Sequence, residues 1–361
     1  MNAPASNRRH DAHGGIRTEA CATAPEGWDA YIERHPRASA YHRAAAVGIG
    51  ARAFGLATTF VSARNARAEL VGVLPLVEQS SALFGRFLVS LPFVTYGGIL
   101  ADDAAVASAL GTLAVELARE RRADHLELRH AAPWEASGLA ERLDKVSMVL
   151  ALPDSPEMLS RALGAKLRSQ IRRAERESLE IVWDDAHGPE ALAAFYRVFA
   201  GAMRDLGTPV YPRRFFRIAC EALHGLCAVL VVRSGGVPQA AAIVVRHGRT
   251  IEVPWAAATV HAKRTAVNMR MYWELLSYAI RSGAQAFDFG RSTVDSGTYR
   301  FKAQWGAEPK QLHWHYWLAA DAPLPKLNPS NPKYARAAAL WRHLPLWCAN
   351  LLGPHIVRHL P

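Results

Sequence analysis

Apolar positions recur along the chain at two periods, and each period predicts an element. Residues 56–63 and 70–78 are apolar, β-branched runs of strand length, and 83–90 reads as a third. Residues 92–98 form a turn-rich strand end. Residues 104–121 switch to a helical period, with Val106, Leu110, Leu113 and Leu117 on one face. Residues 125–129 alternate cleanly as a strand, and 146–152 form another. A short helix is predicted at 28–34, and residues 1–24 read as a disordered tail. Residues 163–177 are amphipathic. Leu163, Leu167, Ile171 and Ala174 make a stripe, and Lys166, Arg168, Arg172, Arg173 and Arg176 occupy the other side. This face is either a solvated linker helix or a rail for phosphates or anionic lipid.

The second half repeats the style of the first. Strands are predicted at 179–183, 226–233, 238–246, 250–257 and 287–289. Helices are predicted at 189–204, 212–223 and 269–280, and a late aromatic strand at 311–318. A weak internal repeat emerges. Tyr96-Gly97-Gly98, a helix, then Leu126-Glu127-Leu128-Arg129 parallels Val253-Pro254-Trp255, a helix, then Phe287-Asp288-Phe289-Gly290-Arg291. Each unit is strand, crossover helix, strand, with an acid between two apolar residues on the last strand. The expected fold class is α+β, with two similar domains in tandem, each a mixed sheet flanked by helices. The boundaries read as a 1–24 tail, a 25–155 domain, a 156–178 basic linker helix, a 179–320 domain and a 321–361 C-terminal strap. The strap mixes Trp341, Leu344, Leu346, Trp347 and Leu351 with Arg342 and His343. It either packs on the second domain or anchors at a lipid headgroup layer.

The composition is globular: 50% hydrophobic and 21% charged over 361 residues. A net charge of +11 favours an anionic partner: nucleic acid, a phosphate-bearing substrate or an acidic membrane face. Arg and Ala abound in the chain, so a GC-rich genome accounts for part of the excess. No apolar run reaches the roughly 18 residues of a spanning helix, and no secretory h-region is present. Cys21, Cys220, Cys227 and Cys348 form no CxxC pair, and read as reduced thiols of a cytosolic protein.

No nucleotide, zinc-protease or serine-hydrolase fingerprint occurs. His313 and His315 share a strand face without an obvious third ligand, so no metal site is expected. The densest stretch is 287–306. Asp288, Arg291, Ser292, Tyr299, Arg300 and Lys302 gather there around three glycines. A strand ending in Gly-Arg-Ser-Thr puts a cation and hydroxyls at the sheet's end, where they can hold an oxyanion or phosphate. Lys302 between Phe301 and Trp305 is a cation in an apolar setting. A second cluster pairs Trp255 with Asn268 at the start of a helix, where free N–H groups favour anions. A third, 203–211, exposes Asp205 and Tyr211 at a Gly-Pro turn.

These motifs resemble a known family. MRDLGTPVYPRRFF, VPWAAA, FDFGRST, GTYRFKAQWGAEP and NPKY are similar to the FemAB-like proteins that accompany exosortase/PEP-CTERM systems, in the GNAT-fold superfamily. The resemblance implies tandem GNAT domains and acyl or aminoacyl transfer to an amine or hydroxyl. It also implies a cytoplasmic enzyme, peripheral on the inner membrane, serving envelope or exopolysaccharide assembly. Fem enzymes move an amino acid from aminoacyl-tRNA to a cell-wall precursor. The Phe301-Lys302 pair matches theirs, where the Lys supports the transferring acyl group. Two departures keep the donor open. The [QR]xxGx[GA] pyrophosphate signature is not seen before Met269, and the long tRNA-linked coiled-coil arm is absent.

On this reading Lys302 and Asp288 are the catalytic candidates. Lys302 stabilises the oxyanion or a donor phosphate, and Asp288 holds the incoming amine or fixes Arg291. Arg291, Ser292 and Asn268 orient the donor, with Tyr299 and Arg300 beside them and Asp205 at the rim. Trp255, Tyr211 and Tyr96 wall the pocket. Arg168 and Arg172 meet a phosphate-bearing glycan or peptide precursor. No tightly bound cofactor is expected, and the donor is an acyl-CoA, an acyl carrier protein or an aminoacyl-tRNA. The alternatives are a non-catalytic docking protein for polysaccharide assembly at an anionic membrane, and an RNA-binding protein for which tRNA is the natural partner.

Overall fold

The computed structural model describes residues 8–12, 15–81, 85–135, 138–184, 188–320, 324 and 332–360. Strands β1 (Arg8–Ala12), β2 (Ile16–Cys21), β3 (Ala57–Arg64), β4 (Leu70–Ser81), β5 (Gly85–Val89) and β6 (Leu100–Ala101) open the chain. Helices α1 (Trp28–Arg34), α2 (Ala44–Val47) and α3 (Ile49–Phe54) fall between β2 and β3. Then come α4 (Ala104–Glu120), β7 (His125–His130), β8 (Ala140–Arg142) and β9 (Lys145–Ala151). The second half holds α5 (Pro156–Ala162), α6 (Ala165–Ala174), β10 (Leu179–Asp184), α7 (Pro189–Leu206) and α8 (Arg213–Ala222). It continues through β11 (Cys227–Ser234), β12 (Val237–His247), β13 (Thr250–Ala258), α9 (Val260–Arg264), α10 (Val267–Arg281) and β14 (Ala286–Thr293). It ends with α11 (Gly297–Ala303), β15 (Glu308–Gln311), β16 (His313–Leu318), α12 (Pro332–Arg342) and α13 (Leu346–Val357).

Two compact units result. One gathers the described residues of Met1–Asp144, Gln311–Lys326 and Arg358–Pro361; the other gathers Lys145–Lys310 and Leu327–Val357. The first sheet runs β1-β2-β3-β4-β5-β7-β16-β8, with β6 on β4. The second runs β10-β11-β12-β13-β14-β9-β15. From β2 to β8 the first order corresponds to the second, from β10 to β15, while β1 and β6 have no counterpart. In the first sheet β5 and β7 are parallel, pairing Phe87–Val89 with His125–Glu127. In the second β13 and β14 are parallel, pairing Thr250–Glu252 with Ala286–Asp288. A helix precedes the second strand of each parallel pair, α4 in one case and α10 in the other, as a crossover requires. The internal repeat is therefore a repeat of topology.

Three expectations change. Residues 8–12 and 16–21 are not tail but a hairpin on β3, where Thr18 and Ala20 are buried. Their side chains are small, so the alternation carried little apolar weight, and the pairing with β3 supplies the order. The domain boundaries also shift. β9 joins the second sheet against β14, and β16 joins the first against β7. A strand's own pattern marks it as a strand without naming its sheet. Finally, the basic helix is no linker. Leu163, Leu167 and Ile171 belong to the second unit's core, with Met269, Leu276 and Phe287. The predicted strand at 83–90 appears as β5, with its first two positions outside the described residues. All four cysteines are free thiols, and burial helps push the Cys220 thiol up, with Cys227 beside it as the largest cause.

The first unit is pinned by a buried polar knot. Glu127 takes the Arg129 Nε at 2.6 Å and the Tyr316 hydroxyl at 2.8 Å. Arg129 also donates to the Val94 carbonyl at 2.9 Å and lies over the Trp314 ring at 4.5 Å. Burial alone raises the pKa of Glu127, yet Arg129 and Tyr316 hold it below the ordinary 4.5. A depressed carboxylate contributes stability above its unfolded pKa, and that contribution is lost as pH falls through the folded value. Arg129→Met leaves a buried charge unpaired and is expected to cost about 3–5 kcal/mol at neutral pH. Urea unfolding should show that deficit shrinking below the ordinary Glu pKa of 4.5. An equal deficit at both pH values would remove the charge from the explanation.

Candidate active site in the second unit

The site follows from two irregular strands lying side by side. The β13–β14 ladder runs over three pairs and stops at Glu252↔Asp288. At that level each strand carries an extra residue against its other neighbour. In β13, Val253 and Pro254 stand opposite Val244, because Glu252 pairs Val245 and Trp255 pairs Ile243. In β14, Phe289 and Gly290 stand opposite Met148, because Asp288 pairs Val149 and Arg291 pairs Ser147. Bulges bend and over-twist a strand. Two of them at one level turn the parallel strands apart and leave a wedge between Val253–Ala258 and the end of β14. Pro254 is tolerated because a bulge residue needs no ladder N–H.

Gly290 makes the second bulge possible. Its φ is +77°, a left-handed conformation that favours glycine, and a Cβ there would sit 3.6 Å from the Val253 carbonyl. The Gly290 peptide is held at both ends. Its N–H donates to Asp288 Oδ1 at 2.7 Å, and its carbonyl accepts from Lys302 Nζ at 2.8 Å. Lys302 also donates to the Arg291 carbonyl at 3.0 Å, and Asp288 Oδ1 accepts from Ser147 Oγ at 2.6 Å. Lys302 reaches these groups from α11, whose start is capped by Ser296 accepting the Tyr299 N–H.

Electrostatics set the state of Lys302. It is 8% exposed, and burial brings its pKa down from 10.5 to about 8. Asp288 and Glu252 oppose that fall, while Arg291 adds to it. The ammonium is therefore the main form at neutral pH, with two of its three donors on backbone carbonyls. Glu252 is buried across from Asp288 and takes His247 Nε2 at 2.7 Å.

The predicted residues divide. Asp288 and Lys302 meet on the Gly290 backbone, Arg291 and Ser292 follow on β14, and Tyr299 and Arg300 share α11 with Lys302. Asp288 faces inward to Ser147 and Gly290, so it positions the bulge. Arg291 and Arg300 are exposed; Ser292 is buried and turned to the α10 face beside Val146, its Oγ without a partner. Asn268 opens α10, and its buried Oδ1 also lacks a partner. The bulge in β13 turns Trp255 to the face opposite Val253. There it packs edge-on against Phe215 at 5.6 Å, while Tyr211 stacks on the same ring at 4.6 Å. These two are joined as an aromatic core, not as a pocket wall. Asp205 pairs with Arg204 at 2.8 Å at the end of α7. Tyr96 packs on Leu312, Trp314 and Tyr316 in the first unit. Arg168 turns back to donate to the Leu163 and Ser160 carbonyls, so it caps the end of α5, whereas Arg172 is exposed. His313 bonds Glu141 at 2.7 Å and His315 bonds His130 at 3.2 Å. No group of three metal-ligating side chains forms among the described residues. Glu252, His247 and Ser147 were missed. Glu252 gave the same signal as Asp288, an acid inside an apolar strand.

The acetyltransferase (GNAT) domain family matches residues 162–303. The structure of FemX is similar over 83% of this chain and 97% of its own, with a TM-score of 0.62 and 14% identity. L-PGS from Bacillus licheniformis is similar over 89% and 96%, at 0.54 and 11%. The fold is a tandem of two GNAT-like domains. A tandem GNAT protein from the clavulanic acid biosynthesis pathway also matches, over 86% of this chain and all of its own, at 0.51 and 13%. No curated protein matches the chain.

The Lys302 assignment is open to direct titration. Its ε-carbon resonance should show a midpoint near 8, and Asp288→Asn should lower that midpoint by removing a charge that raises it. A midpoint near 10.5 would mean a solvated lysine.

Proposed function

We propose that the second GNAT-like domain transfers an acyl or aminoacyl group to an amine or hydroxyl of a phosphate-bearing envelope or exopolysaccharide precursor. The observation that carries this reading is the wedge between β13 and β14, with a buried ammonium at its apex. A wedge between parallel strands offers unpaired backbone groups to an extended donor, and its dry apex strengthens any charge placed there.

The acceptor lone pair attacks the carbonyl of a thioester or ester donor. A bond forms to that carbon, negative charge moves to its oxygen, and the thiolate or alkoxide leaves with the proton the acceptor gives up. Lys302 has one donor left for the developing oxyanion, or for a donor phosphate nearby. The exposed Arg291, Arg300 and Arg172 supply cations for phosphates. Asn268 Oδ1 and Ser292 Oγ, buried without partners, suit polar atoms of a bound donor. The first turn of α10 carries Val267 and Asn268, side chains that a glycine cradle for a diphosphate would lack. That favours a donor anchored elsewhere, such as a carrier-protein thioester or an aminoacyl ester.

The test compares extracellular polysaccharide and lipid-linked precursors by mass spectrometry in wild type, a deletion strain and Lys302→Ala. Loss of one acyl or aminoacyl mass in both mutants is expected, and the mass names the group. A change in the deletion strain that Lys302→Ala does not share would overturn the catalytic role and favour the docking alternative.

A further inference from the structure

The last helix of the second unit, α13, is apolar on its inward side and largely apolar on the other. On α13, Ala349, Gly353 and Val357 face inward. Gly353 lies so close to the chain that a Cβ would come within 2.8 Å of the Val210 carbonyl. The opposite side is also apolar. Trp347 is 69% exposed and Leu351 61%, with Leu352 and Ile356 beside them, and Leu340 on α12 is 74% exposed. Leu206, at the end of α7, extends the patch. Its carbonyl accepts from Arg342 at 3.5 Å, and Arg204 donates to the Leu344 carbonyl at 3.5 Å. A helix apolar all round is one buried all round. This one is covered on a single side, and a contiguous exposed apolar patch of this kind marks an interaction surface.

The charge around the patch decides what covers it. Among the described side chains from Arg336 to Val357 there is no Asp or Glu, whereas Arg336, Arg342, His343 and His355 are all exposed. We propose that this face docks the protein on a bilayer containing anionic lipids. Trp347, Leu340 and Leu351 enter the headgroup layer, and Arg336 and its neighbours meet lipid phosphates. Tryptophan favours the interface between headgroup and acyl chain, and a cationic amphipathic surface is drawn to anionic lipid. A second copy of the chain fits less well, because a two-fold contact would set this cationic rim against itself. The attachment lies on the surface. α13 has 12 residues, about 18 Å of helix, and no helix among the described residues is long and apolar enough to cross a membrane. This inference does not rest on the transfer chemistry.

The test is flotation of the full chain with vesicles of phosphatidylcholine alone, or with about 30% phosphatidylglycerol. Flotation with the anionic vesicles only is expected. Trp347→Ser with Leu351→Ser should weaken it by at least about tenfold, since both side chains are exposed and their loss leaves the fold intact. Arg336→Glu and added salt should each weaken it too. Absence of flotation with anionic vesicles, or undiminished flotation of the double variant, would overturn the proposal. So would a concentration-dependent dimer in light scattering that the double variant abolishes, which would assign the face to a second copy.

Discussion

Gly290 is gripped through both its N–H and its carbonyl, and the geometry of the second unit's wedge depends on that grip. Asp288 takes its N–H and Lys302 takes its carbonyl. Neither partner is solvated, so each bond stands in for the water the peptide would otherwise keep. An unmade bond at such a depth costs more than a made one gains. The bulge therefore persists only while both side chains are present. The bulge in turn bends β14 away from β13 and opens the wedge. One interaction thus sets the strand geometry, buries the cation and lowers its pKa.

The first unit shows what the same scaffold does without that residue. Its sheet has the same order and the same parallel pair, and Glu127 stands where Asp288 stands. The difference is one position. Leu126-Glu127-Leu128-Arg129 has no counterpart of Gly290, so its acid meets an arginine two residues on and closes an ion pair at 2.6 Å. In Phe287-Asp288-Phe289-Gly290-Arg291 the added glycine carries the arginine outward and gives the acid a backbone N–H instead. The first copy spends its acid on a closed polar knot. The second spends it on an opened strand.

Much of this was legible in the sequence, because period and punctuation are local. Trp28–Arg34 and Ala104–Glu120 fall within a residue of their predicted bounds. The stripe of Leu163, Leu167, Ile171 and Ala174 is buried as its spacing requires. The repeat and the cluster at 287–306 were visible as well. What escaped was pairing and register. No local pattern says that β16 leaves the second half to complete the first sheet, or that β9 does the reverse. Likewise a bulge is a property of two strands together. Val253-Pro254 reads as an ordinary apolar step, yet it turns Trp255 from a pocket wall into a partner of Phe215.

The central claim is that Asp288 and Lys302 together hold the Gly290 bulge. Amide hydrogen exchange at Gly290 measures that hold residue by residue. In the wild type Gly290 should exchange as slowly as Phe287, which lies deeper in the same strand. Lys302→Met and Asp288→Ala should each speed Gly290 by about a hundredfold or more while leaving Phe287 slow, the pattern of a local opening. Fast exchange at Gly290 in the wild type, or no change in either variant, would contradict the account.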